Sequence, residues 1–127
     1  MGERITILLA VAGGGSIGAL LRYALSGWFV RKFPLGTLAV NVAGCLAIGL
    51  IVGSLHEKAW LSPAWRHFLI MGLLGSLTTF STFGYQCVEL YLDGHYALAA
   101  LNVLSNLIIG LAAVACGLML AHALVRV

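Results

Sequence analysis

The sequence predicts an all-α membrane protein with four transmembrane helices, the third broken near mid-membrane. Three observations lead there. The 127-residue chain is 61% hydrophobic and only 9% charged, whereas soluble domains carry roughly 25% charged residues. Four apolar stretches are each long enough to cross a bilayer, which takes about 20 residues. One of them contains GSLTTFSTFGYQ, residues 75–86, where hydroxyls and aromatic rings crowd into an otherwise greasy run. Mean hydropathy is +1.05. A chain this small cannot bury so much apolar surface by folding alone, because surface-to-volume scaling works against it. Lipid must cover much of it.

The spans make one four-helix transmembrane domain over residues 1–127. The first, about 5–30, is interrupted only by Arg22. The second, 35–55, carries no charge. The third, 66–91, is uncharged from Phe68 to Val88. The fourth, 97–124, has no charge beyond His122. Short connections hold the turn formers and charges: RKFP, HEKAWLSPAWRH and DGH. Trp28, Trp60 and Trp65 fall at the boundaries, where amphipathic rings favour the headgroup layer. The first apolar run is too long for a signal peptide and shows no clear cleavage site, so it is expected to stay in the mature protein.

Charge and spacing exclude several functions. The formal net charge is +3, but the basic residues are scattered and form no nucleic-acid patch. Cys45, Cys87 and Cys116 lack metal-ligand spacing and read as small buried hydrophobes. The histidines form no HExxH pattern. Gly13, Gly15 and Gly18 match GxGxxG, but a dinucleotide site needs a strand and a βαβ unit around it. Gly14–Gly18 and Gly49–Gly53 match GxxxG, which lets helix backbones approach closely in a membrane.

Lys and Arg are almost evenly divided between the two sides. Arg4, Lys58, Arg66 and Arg126 face Arg22, Arg31 and Lys32, four against three. Topology follows Lys/Arg imbalance, and here there is little. The balance permits insertion in both orientations and pairing of two opposed copies; it also arises by accident in small proteins.

The third span carries the chemistry. Thr78, Thr79, Ser81 and Thr82 lie near its middle, after Gly75. Glycine has low helix propensity, and hydroxyls can satisfy backbone groups that a break sets free. The expected break spans Gly75–Thr79. Free carbonyls at such a break suit a small cation such as sodium, and helix N-termini suit anions. The alternative is an unbroken helix kinked at Gly75, its hydroxyls bonded to their own turn, and spacing alone favours that. Phe80 and Phe83 share a helical face. Their positive ring edges can meet an anion without a fixed charge, although such pairs are usually core packing. Asn41 on the second span, and Asn102 and Asn106 on one face of the fourth, supply amide donors or helix-to-helix glue. Arg22 either snorkels to the interface or concentrates anions at a pore mouth.

Three motifs bring these residues together: GGGSIGALLRY at 13–23, GTLAVNVAG at 36–44 and GLLGSLTTFSTF at 72–83. In these motifs, and over nearly its whole length, the chain resembles the Fluc/CrcB fluoride channels. The resemblance implies an antiparallel, dual-topology homodimer with two fluoride pores in a bacterial inner membrane, exporting fluoride from the cytoplasm to relieve its toxicity. It implies a structural Na+ on the dimer axis, held by the backbone carbonyls of Gly75 and Thr78. It places Phe80, Phe83, Asn41, Asn102 and Asn106 along the anion pore; Ser81 and Thr82 are expected to join them there, with Arg22 in the vestibule. Ser76, Gly84, Gln86 and Gly110 depart from the family pattern.

Two rivals come from other classes. A small dual-topology proton-coupled multidrug transporter needs an ionisable group within the bilayer, yet Glu3 and Glu57 lie outside the spans and Glu89 near an end. In a non-transporting assembly subunit the polar residues would all be glue. No nucleophile–base or carboxylate pair supports an enzyme.

Overall fold

A computed structural model describes residues 2–27, 33–57 and 61–125. Trp28, Arg31, Lys32, Lys58, Trp60 and Arg126, used above for boundaries and orientation, lie outside the described residues, as do residues 28–30 of the first expected span.

The described chain is helical. Helix α1 runs Gly2–Gly27 and α2 runs Leu35–Glu57. The third span is a composite: α3 (Pro63–His67), a π-helical segment (Phe68–Leu74), α4 (Gly75–Leu77) and, after an interruption, α5 (Phe80–Leu92). Helix α6 runs Tyr96–Val125. Four helical stretches are thus long and apolar enough to cross a membrane: Gly2–Ser26, Leu35–Leu55, Pro63–Leu92 and Tyr96–Leu124.

Local chemistry sets the ends of the third span. Ser62 caps α3, its hydroxyl accepting from the Trp65 amide at 3.4 Å, and Pro63 supplies the first helical position, where its missing N–H costs nothing. At the far end Gly94 has φ 78°. The His95 amide donates to the Leu90 carbonyl at 2.8 Å and the Gly94 amide to the Tyr91 carbonyl at 3.0 Å. This is the Schellman closure, which needs a left-handed residue beyond the helix end. The DGH tripeptide thereby reverses the chain into α6.

Both GxxxG pairs are used inside the chain. A methyl group at Gly14 would strike the Phe68 carbonyl oxygen and approach the Leu73 amide nitrogen to 2.9 Å; one at Gly18 would strike the Leu73 carbonyl. These glycines seat α1 against the π-helical segment. A methyl at Gly49 would strike the Val114 carbonyl, and one at Gly53 would sit 2.6 Å from the Ala121 methyl. That pair seats α2 against α6. Backbone-to-backbone approach of this kind is the main source of helix association where lipid is as apolar as the side chains.

The contrast between neighbours in α1 gives a test. A methyl at Gly13 would meet only the Phe68 ring, at 3.8 Å. Gly14→Ala is expected to lower stability by about 1–3 kcal/mol through overpacking. Gly13→Ala should be neutral or stabilise by about 0.5–1 kcal/mol through helix propensity. Unfolding in mixed micelles, followed by circular dichroism, separates the two.

Candidate functional site

The interruption of the third span lies at Thr78 and Thr79, about halfway along Pro63–Leu92. Thr78 has φ −79° and ψ 153°, and Thr79 has φ −150° and ψ 117°. Both are extended. Gly75 itself is helical, with φ −62° and ψ −29°. The backbone therefore leaves the helix at the threonines and not at the glycine. Extended backbone is what the first residue before a helix needs if its side chain is to cap that helix. The Thr79 hydroxyl caps α5, accepting from the Thr82 amide at 3.2 Å.

A break releases four carbonyls on one side and four amides on the other. In a continuous helix the Gly75 carbonyl would accept from the Thr79 amide, and the Thr78 carbonyl from the Thr82 amide. Here the Thr79 amide donates to Asn41 Oδ1 at 2.9 Å and the Thr82 amide to the Thr79 hydroxyl. Both carbonyls lose their regular helical partners. They sit at the negative end of one helix, facing the positive end of the next. This donor set fits a small cation held by backbone oxygen.

The Thr79 amide also sets the direction of a side-chain network. A backbone N–H only donates, so the Asn41 atom facing it is the oxygen. The Asn41 nitrogen then donates to the Thr79 carbonyl at 3.3 Å and to Asn106 Oδ1 at 3.0 Å. Asn106 in turn spends its nitrogen on Asn102 Oδ1 and on the Asn102 carbonyl, each at 3.0 Å. Asn102, fully buried, donates to Cys87 Sγ at 3.2 Å. The chain thus runs from the break through α2 and α6 back to α5. It spends both N–H groups of Asn41 and both of Asn106 within the protein.

The hydroxyls form a second cluster. Thr79 Oγ1 lies 3.2 Å from Ser81 Oγ and donates to Thr82 Oγ1 at 3.1 Å. Thr78 Oγ1 bonds back to the Leu74 carbonyl at 2.9 Å. Phe80 and Phe83 meet edge to face, with centroids 5.5 Å apart and planes at 61°. Their surroundings differ sharply: Phe83 is 7% exposed and Phe80 81%. An open groove of about 360 Å³ runs beside the break, lined by Asn41, Thr78, Thr79, Phe80, Phe83 and Asn106 among others. Gly75 also borders it; Ser81, Thr82, Asn102 and Arg22 do not. Half-buried Arg22 lies on α1, where its carbonyl accepts from the Ser26 hydroxyl.

Two contributors had no assigned role in the sequence reading. A methyl at Gly44 would strike the Thr78 methyl group, so glycine there makes room for the Thr78 side chain beside the extended turn. Its place in GTLAVNVAG, three residues after Asn41, was the available signal. Cys87 accepts from Asn102, and nothing in its own neighbourhood of sequence announces that. Among the departures, a side chain at Gly84 would meet nothing within 4 Å in this chain and one at Gly110 only Cys45 Sγ at 3.6 Å, so a hydroxyl fits at either. Gln86 Oε1 is buried without a hydrogen-bond partner in this chain.

Asn41→Leu keeps the bulk but strands the Thr79 amide and Asn106 Oδ1. It is expected to cost about 1–3 kcal/mol for each buried group left unpaired, read as a lower midpoint of thermal unfolding in detergent.

Comparison with known proteins agrees with this architecture. Residues 9–118 match the family described as "CrcB-like protein, Camphor Resistance (CrcB)". The chain is 41% identical over 124 residues to a protein of Saccharophagus degradans, covering 95% of this chain and 93% of that one. It is 42% identical over 120 residues to one from Thermococcus kodakarensis, covering 93% and 98%. It is 46% identical over 114 residues to one from Shewanella amazonensis, covering 87% and 91%. All three relatives carry the name "Fluoride-specific ion channel FluC". With its interrupted third span and matches over most of its length, the chain belongs to the CrcB family.

Proposed function

We propose that this chain builds a fluoride-selective passive channel. The observation that carries the reading is the break at Thr78–Thr79: hydroxyls, an edge-to-face phenyl pair and a buried amide chain all converge on it. Relatives named as fluoride channels support it.

The physical problem is passage of the smallest and most strongly hydrated halide. A fixed positive charge inside the path would also attract chloride and would trap fluoride. Neutral dipoles can replace part of a hydration shell while leaving each site weak enough to exit. At the break, the N-terminus of α5 presents its positive end. Ser81 and Thr82 add hydroxyl donors, and Phe80 and Phe83 add positive ring edges. Asn41 and Asn106 border the groove with their N–H groups already spent. Their part in the resting structure is to hold the lining, and direct donation to an anion would require exchanging one of those bonds. Asn102 lies behind them. Arg22, outside the groove, raises the local anion concentration at its mouth.

The assembly we propose is an antiparallel homodimer in the bacterial inner membrane, exporting fluoride from the cytoplasm along the membrane potential without enzymatic chemistry. The near-equal Lys/Arg division supports it. So do the open groove and exposed Phe80, which a second copy would cover. The Gly75 and Thr78 carbonyls of both copies would together hold a structural Na+, whose charge balances the carbonyl ends of the broken helices. A proton-coupled exchanger fits less well, because no carboxylate among the described residues lines the groove.

Liposomes loaded with fluoride or chloride test the function. Rapid efflux of fluoride, read with a fluoride electrode, and negligible efflux of chloride are expected. Equal rates for the two halides would refute selectivity, and proton uptake on adding a lipophilic cation would favour the exchanger. Phe80→Ile and Phe83→Ile keep bulk but remove the quadrupole, and each is expected to slow fluoride by about tenfold or more, since a lost contact of about 1.4 kcal/mol is a factor of ten. Exchange of Na+ for a bulky organic cation throughout purification should weaken the dimer or abolish conduction. Undiminished flux after exhaustive exchange would remove the ion from the proposal.

A further inference from the structure

The directed amide chain ends at Cys87, and its direction is set at the other end, by the Thr79 amide. Each amide between them has its orientation forced by the one before: Asn41 offers nitrogen to Asn106, Asn106 offers nitrogen to Asn102, and Asn102 is left with nitrogen toward the sulfur. Reversing the last member would place two donors, or two acceptors, face to face somewhere along the line. The residue at 87 must therefore accept. Asn102 is fully buried, so water cannot substitute if the acceptor is removed.

We propose that Cys87 is a positioning residue for the break: its sulfur is the terminal acceptor that keeps Asn102, Asn106 and Asn41 in the one orientation that can receive the Thr79 amide. It touches no anion. Without the acceptor, the Asn102 amide is left with an unpaired N–H, its hold on the Asn106 side chain weakens, and the loosening passes through Asn106 and Asn41 to the Thr79 amide. The cysteine then matters for hydrogen bonding and not for thiol reactivity. Serine, which also accepts, should replace it, and valine, of similar volume, should not.

The inference rests on the channel reading for its flux arm only, so two measurements are made on the same full-length variants. The first is fluoride efflux from liposomes. Cys87→Val is expected to be about tenfold slower than wild type, the scale set by one buried donor left unpaired, and Cys87→Ser to restore the rate to within about threefold, as the hydroxyl makes an equivalent bond. The second is amide hydrogen exchange at Thr79 in micelles, which does not depend on conduction. Thr79 should be protected in wild type and Cys87→Ser and lose protection by about tenfold in Cys87→Val. Cys116→Ser, at an exposed position on α6, controls for loss of any thiol and should change neither readout. If Cys87→Val does not fold, Cys87→Ala tests the same point. Wild-type exchange at Thr79 in the valine or alanine variant would overturn the proposal, as would a serine variant as impaired as valine. Failure of wild type to move fluoride, with the exchange pattern intact, would sink the channel reading and leave Cys87 in its role.

Discussion

One hydrogen bond, from the Thr79 amide to Asn41 Oδ1 at 2.9 Å, sets much of the site's arrangement. Backbone polar groups in a membrane interior must be satisfied by protein or by water in a cavity, and each failure costs several kcal/mol. An interrupted span therefore cannot simply leave its amides and carbonyls open. The Thr79 amide takes a partner from α2, and the Thr82 amide takes one from the Thr79 side chain. What remains unbonded by helix is confined to the two facing helix ends. The break is in this sense selective: it satisfies the donors that would face protein and leaves carbonyls and amides where an ion of either sign could use them.

Holding the two halves in line requires rigid neighbours. The π-helical segment ahead of the break is wedged against α1 at Gly14 and Gly18, so its backbone cannot slide without striking another backbone. On the other side α2 and α6 are locked at Gly49, Gly53 and Gly117, the last of which leaves a prospective methyl only 2.5 Å from the Leu46 carbonyl. Asn41 and Asn106 ride on these two helices. Close glycine contact fixes the distance between them, and the 3.0 Å amide bond follows from it. Steric packing and polar satisfaction are thus one constraint here: loosening either would let the other relax.

The spans were legible because lipid as solvent imposes a coarse requirement, about 20 apolar residues, that four stretches plainly meet. The break was legible only through the family resemblance, because the crowded hydroxyls by themselves fitted a helix kinked at Gly75 with those side chains bonded to their own turn. Its position was less so. The low helix propensity of Gly75 pointed upstream, whereas the extended residues are Thr78 and Thr79, because capping α5 through the Thr79 hydroxyl outweighs intrinsic propensity. The shared face of Asn102 and Asn106 could be read from their spacing, but not that their N–H groups are consumed by one another and by the break. The π-helical turn at FLIMGLL was invisible, since those residues read as an ordinary apolar helix. Cys87 was invisible for the same kind of reason: its partner is 15 residues away on another helix.

The unequal burial of the phenyl pair bears on the proposed assembly. Phe83 is packed within the chain, yet Phe80, in contact with it, is 81% exposed beside a groove open on one side. That groove is bordered at mid-span by Gly75 and Thr78, whose carbonyls have lost their regular helical partners. Lipid tails cannot satisfy them, and irregular backbone at that depth persists only against protein or water. A single chain in a bilayer would therefore be unfinished on this face. A second copy related by a two-fold axis in the membrane plane would bring another break to meet this one, pairing carbonyl end with carbonyl end across the axis and leaving the hydroxyl and ring-edge surfaces outside it. In that proposed assembly a cation between the carbonyls and an anion along the donors would occupy separate regions of one structure. Selectivity in that arrangement needs no charged residue at the constriction, because the interruption already supplies oriented dipoles of both signs at a depth where water is scarce and dipoles count for more.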